Sequence, residues 1–304
     1  MAYATSERTS IISTAQADFK PAVVSINSDA IRRFDWGNTG GLHVELKPGI
    51  SQTDTAAMSF LVAMTALNYR FWQIPEGSPS VLQRYVFAGK TGARALWSAF
   101  EAAWGEASAP AQFVSAVTDS TFAEHFGEFL ATPDRLAIVR ELFQDQGRKL
   151  TDVCQTLSGQ IAAIGAITVS DAYLLEQEFP KSFADPYLKK AQLALAMYGG
   201  HHLNRGLRLD TSDLTAIADY QVPRVLRAMG ILNYDATLSG AVDNQVQLPQ
   251  DSHQERAIRS ATILACEEIA TYAGITAAAV DNALWQAQAY AGEQPFHLTF
   301  TTRY

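Results

Sequence analysis

A chain of 304 residues with 48% hydrophobic and 18% charged side chains has ample material for a packed core, which excludes a disordered or fibrous protein. Its 31 acidic residues against 23 basic ones leave a formal net charge of −8, which argues against a protein that coats nucleic acid by neutralising phosphates. No secretory pattern and no apolar run of bilayer-spanning length is present, so a cytoplasmic protein without a membrane partner is expected. Cys154 and Cys266 lie far apart in apolar helical patterns and read as reduced core thiols.

In chain order, residues 6–19 read as a helix and 28–34 as a second helical piece. A loop through Trp36, Gly37, Gly40 and Gly41 then leads to His43. A lone loop histidine is ordinarily a surface or hydrogen-bonding residue. Residues 52–67 carry a broad apolar helical face, with Ser51 as candidate cap and Asp54 at capping-box spacing. Tyr69–Gln73 and Arg84–Phe87, separated by PEGSPS, predict a small antiparallel pair. Gly89-Lys90-Thr91-Gly92 resembles the tail of a phosphate-binding loop but lacks its upstream glycine and strand. It reads as a turn ahead of a helix over 93–104.

From 121 onward the pattern predicts helices over 121–130, 133–146, 147–157, 159–178, 186–198, 211–230, 234–242, 250–273 and 276–291, with Pro133 and Pro186 at first helical positions. Residues 296–304 suit a strand or an extended tail. The fold expected is mainly α: one compact multi-helix domain over 1–304, with a helical lead-in and β-hairpin appendage in 1–110 and a helical body in 111–304.

Several polar residues interrupt the apolar pattern. Lys189 and Lys190 are most simply a solvated face, although an inward lysine would offer a point charge to a phosphate. His201 and His202 are adjacent, point apart on a helix and lack a spaced third ligand, so no metal is expected. No cofactor is implied. Glu255, Arg256 and Arg259 read as a helix salt-bridge set. Asp281, Asn282, Trp285 and Gln286 share one broad helix side. They are either an early-turn Asp with a core Trp, or a polar edge and aromatic wall for a purine-like base and its amine side chain. Asp281 is the strongest of these, because an anionic acceptor suits both.

The stretch 211–230, TSDLTAIADYQVPRVLRAMG, organises the rest. Thr211, Ser212 and Asp213 are candidate caps, apolar residues recur at helical spacing, Gly230 supplies a stop, and Pro223 should bend the helix. Asp219 and Tyr220 sit beside that break. Asp219 is most simply a cap for the second segment; the alternative is an acid or base tuned by burial.

The segment ADYQVPRVLRAMGILNY (218–234) resembles a hallmark of the queuosine salvage protein family, the queuosine 5'-phosphate N-glycosidases. LHVELKP (42–48), ALNYRFW (66–72), GKTGARALWSAF (89–100), YLKKAQL (187–193), ERAIRSAT (255–262), DNALW (281–285) and PFHLTFTTRY (295–304) follow the family's order. The resemblance implies a DNA-glycosylase-like helical core. The activity it implies is hydrolysis of queuosine 5'-monophosphate to queuine, with a small-molecule substrate and no nucleic-acid partner. It further implies Asp219 as the catalytic carboxylate and His43, Lys189, Tyr220, Asp281, Asn282, Trp285 and Gln286 as substrate-binding residues. Glu255 is left open to a supporting role. A non-catalytic binding protein for a modified base or nucleotide is the rival reading, and a DNA base-excision glycosylase is disfavoured by the acidic charge.

Overall fold

The computed structural model describes residues 4–37, 41–75, 82–105, 113 and 117–304. Gly40, residues 76–80 of the PEGSPS loop and the boundary expected at 110 lie outside them. Helices run α1 Ala4–Asp18, α2 Ser28–Ile31, α3 Asp54–Ala66, α4 Gly92–Trp104, α5 Phe122–Phe126, α6 Pro133–Phe143, α7 Arg148–Ile164, α8 Val169–Glu178, α9 Pro180–Phe183, α10 Lys189–Asn204, α11 Val222–Ala228, α12 Ala236–Asp243, α13 His253–Ala273 and α14 Ala277–Gln286. Strands are short. β1 Val24–Ile26 pairs antiparallel with β6 Leu232–Tyr234, β2 Trp72–Gln73 with β3 Gln83–Arg84, and β4 Val86–Phe87 with β5 Lys90–Thr91, while β7 Gln247–Leu248 lies parallel to β8 Leu298–Thr299. The protein is mainly helical, as expected, with small two-stranded sheets.

Helix α3 is buried from Ala56 through Ala66, as an all-round apolar helix must be, and lies against α7 and α10. Phe60 anchors it to α4, with its ring centroid 5.4 to 5.6 Å from those of Trp97, Phe100 and Trp104 in edge-on geometry. A second apolar cluster forms around α13, joining β1, β6, α11 and α14. Cys154 and Cys266 are buried free thiols, one in each cluster. Among the described residues, no single helix is long and apolar enough to cross a membrane.

Several boundaries differ from the sequence expectation. The break expected at residue 158 falls instead at Gly165, which ends α7 in the left-handed conformation (φ 74°). Thr168 and Asp171 then form a reciprocal capping box for α8. Thr53, not Ser51, caps α3 by accepting from the Ala56 N–H at 3.0 Å. Pro186 does not open α10, which starts at Lys189 after Leu188 takes a left-handed φ of 53°. A branched residue bears strain there, and it is held by Asp185, whose Oδ2 accepts from the Lys189 N–H at 2.8 Å.

The largest correction concerns 211–230: only Val222–Ala228 is helical, and Pro223 sits in its first turn, where a missing N–H costs nothing. Asp213 caps a different helix, its Oδ2 accepting from the Val169 N–H at 2.8 Å. Residues 214–218 run irregularly, and all five are buried. Leu214 and Ala218 pack in the first cluster and Ala216 in the second, so the segment threads between the two.

Candidate active site

A buried chain segment outside helices and sheets must have its peptide groups satisfied by side chains. Three helices supply them. From α10, Gln192 Oε1 accepts from the Thr215 N–H at 2.8 Å. From α14, Asp281 Oδ1 accepts from the Ile217 N–H at 2.8 Å. From α13, Arg259 Nε donates to the Ala218 carbonyl at 3.1 Å. Asp219 follows directly. Its Oδ1 accepts from the Gln221 and Val222 N–H groups at 2.7 and 3.1 Å, at the head of α11. Asp219 is thus not the N-cap of α11, a position held by Gln221 without a side-chain bond, but its carboxylate satisfies the first N–H of that helix, and the same side chain lines a cavity.

That cavity holds about 1360 Å³, more than the roughly 300–1,000 Å³ of a typical small-molecule pocket. All eight residues singled out from sequence line it: Asp219, His43, Lys189, Tyr220, Asp281, Asn282, Trp285 and Gln286. His43 lies on an extended stretch fastened to α10 by a Val44 N–H to Gly200 carbonyl bond of 3.2 Å. Gly200 permits that approach, since a Cβ there would meet the Leu42 carbonyl oxygen at 2.5 Å. Tyr220 packs against Phe296 with centroids 4.7 Å apart. Gln286 Nε2 donates to Asn282 Oδ1 at 3.3 Å.

Lys189 and Lys190 are both buried, not a solvated face, and only Lys189 lines the cavity. Lys190 Nζ turns away to the Ala66 carbonyl at 2.8 Å and lies over the Tyr69 ring. Burial lowers the Lys189 pKa, and the Asp219 and Asp281 carboxylates oppose that shift. Burial and the Asp219 charge hold Asp281 well above the ordinary carboxylate range, against the Ile217 N–H and Lys189. Two carboxyl groups and one ammonium thus share a poorly solvated wall.

Sequence reasoning missed several lining residues. Arg84 and Arg94 stand over the Phe296 and Trp285 rings at 5.3 and 5.9 Å, and Asn68, Arg208 and Tyr304 also face the space. Arg94, Asn68 and Tyr304 fall in segments that carried the family likeness, which was the available signal. The Glu255–Arg256–Arg259 set is not one helix-surface network. Arg256 pairs with Asp18 and Asp251, while Arg259 and Glu255 are buried. His201 and His202 are buried with rings 6.0 Å apart, and among the described residues no group of three ligating side chains could hold a metal.

Behind the wall, His297 is 2% exposed, with Nε2 3.2 Å from the Tyr304 hydroxyl. Burial and the Arg259 charge push its pKa down to about 3. The unfolded chain protonates this group below about pH 6.5, so its contribution is complete above that value and is lost as pH falls towards 3. The loss is about 1.4 kcal/mol per pH unit over that window. Urea unfolding of the wild type should therefore weaken more steeply from pH 7 to pH 5 than unfolding of His297→Phe. Parallel slopes would show that the folded protein already protonates His297.

A helical body enclosing one large cavity, walled by carboxyls, a buried lysine and aromatic rings, defines a protein with an internal pocket for a small polar molecule. The chain belongs to the queuosine salvage protein family, whose sequence model matches residues 47–304. It is 29% identical over 272 residues to the queuosine 5'-phosphate N-glycosylase/hydrolase of Sphaerobacter thermophilus, covering 82% of each chain. It is 27% identical over 210 residues to the protein of the same name from Dictyostelium discoideum, covering 62% of this chain and 63% of that one.

Proposed function

We infer that this protein hydrolyses the N-glycosidic bond of queuosine 5'-phosphate, releasing queuine and ribose 5-phosphate. The observation that carries this is the family match over 47–304, a range that contains the cavity wall from Met64 to Tyr304. In the reaction the bond from C1′ to the base nitrogen breaks, water supplies the new oxygen at C1′, and a proton ends on the departing base. Positive charge builds on the ribose as the bond stretches. Asp219 opposes that charge and orients the water. Both of its hydrogen bonds land on Oδ1, which leaves Oδ2 to the substrate.

Queuine is a 7-deazapurine, so carbon stands where ordinary purine hydrolases protonate nitrogen. Assistance must come at the other edges of the base, and we assign it to Asp281, with Asn282 and Gln286 as polar neighbours and Trp285 as a wall, all four lining the cavity. A cationic or N–H-rich edge beside Asp281 would favour its charged form and offset the burial that raises its pKa. His43 and Tyr220 complete the contacts. For the helical body we propose the DNA-glycosylase-like plan that the family likeness implies.

Incubation with queuosine 5'-phosphate should release a species of queuine mass; binding without release would mean a non-catalytic binding protein. Lys189 is proposed to read the phosphate as a point charge. Lys189→Ala should then raise KM for the nucleotide far more than for the nucleoside. Equal effects would leave Lys189 to the two carboxyl groups and pass the phosphate to Arg84 and Arg94.

A further inference from the structure

Arg259 is a costly residue to bury, at 1% exposure, and its contacts divide into two sets. One set holds the guanidinium. Nη1 and Nη2 form a two-pronged pair with Asp185 at 2.8 and 2.7 Å, and the guanidinium lies over the rings of Tyr187 and Tyr304 at 4.7 and 4.6 Å. Glu255 adds a more distant charge at 3.7 Å while accepting from the Tyr304 hydroxyl at 2.9 Å. The other set reaches the cavity wall. The remaining nitrogen, Nε, donates to the Ala218 carbonyl at 3.1 Å, one peptide before Asp219. Asp185, besides gripping Arg259, accepts from the Lys189 N–H at 2.8 Å.

We propose that the Arg259–Asp185 pair is a positioning device for the site: it sets Asp219 through the Ala218 carbonyl and Lys189 through the first turn of α10. The proposal rests on Asp219 being the reacting carboxylate. A purely structural cross-link could attach anywhere on α10 and α13. This one attaches to the residues adjoining two groups that face the cavity. Its planar fork engages both Asp185 oxygens and leaves the third nitrogen fixed in direction, which a lysine cannot reproduce. A carboxylate displaced by about 1 Å from its reacting partner can lose on the order of 100-fold in rate while still binding substrate.

The test is Arg259→Lys, which keeps a charge for Asp185 but surrenders the directed bond to Ala218. Turnover of queuosine 5'-phosphate should fall by on the order of 100-fold with KM changed less than about threefold. Calorimetric titration with queuine should still give one site per chain, which separates misplacement from a dead fraction. Wild-type kcat overturns the proposal, as does a loss matched by a fall in binding stoichiometry. Should Arg259→Lys fail to fold, the paired replacement Asp185→Leu with Arg259→Met removes both charges together and takes its place under the same criteria for turnover and stoichiometry, with KM for the nucleotide now expected to rise because the Lys189 N–H loses its acceptor. Failure of the paired replacement to fold would assign the pair to stability and also overturn the proposal. Asp219→Asn run alongside keeps the two ideas apart. Activity in that variant sinks the role of Asp219 itself, whereas a dead Asp219→Asn beside an unimpaired Arg259→Lys sinks only the positioning device.

Discussion

Asp219→Asn should give a folded protein that binds queuosine 5'-phosphate and releases base on the order of 10³-fold more slowly. The change is nearly isosteric. An amide oxygen can still accept from the Gln221 and Val222 N–H groups, so the turn that leads into α11 keeps its hydrogen bonds. What disappears is the negative charge opposite a ribose that becomes cationic. The effect should therefore fall on kcat and spare KM and the melting temperature. Base release followed by mass spectrometry, with calorimetric binding of the uncleaved nucleotide, checks both halves. Undiminished release would remove Asp219 from the chemistry and leave it the acceptor of the turn that leads into α11.

The second large effect is on stability. Asp185→Ala should destabilise the fold by about 3–5 kcal/mol, because it strands the Arg259 guanidinium in a site sealed from water. Burial works to raise the Asp185 pKa, and Arg259, together with the Lys189 N–H and Arg303, more than offsets it. The Lys189 N–H loses its acceptor in the same stroke, next to the strained Leu188. Urea unfolding measures the loss. Asp29→Ala, which breaks an Arg32 pair with side chains 63% and 81% exposed, is the control and should change little. A comparably small loss for Asp185→Ala would mean that water reaches the buried pair.

How much of this was legible beforehand depended on the residue. Helix α3 could be read directly, since an unbroken apolar face has few other uses, and so could α4 and α13 within a residue or three. The segment 214–218 could not. Leu214, Ile217 and Ala218 recur at helical spacing, but a continuous apolar run also suits a buried extended segment, and periodicity alone does not separate the two. Pro223 was ambiguous for a similar reason: it bends a helix from within and begins one from the first turn. Helical spacing left Lys189 and Lys190 as a solvated face and only the family likeness turned Lys189 inward; it is buried facing two carboxylates stored far away in the chain at Asp219 and Asp281.

The sequence alone determined the helical character, the family likeness and eight of the residues that line the cavity, because apolar spacing and local motifs are properties of short windows. The tertiary structure alone decided that Asp219 ends an irregular strap, that Gln192, Asp281 and Arg259 hold it, and that Asp185 ties Arg259 to Lys189. Those partners stand between 4 and 74 residues apart in the chain. A buried peptide group takes whichever donor or acceptor packing delivers, and no local pattern records which one that is.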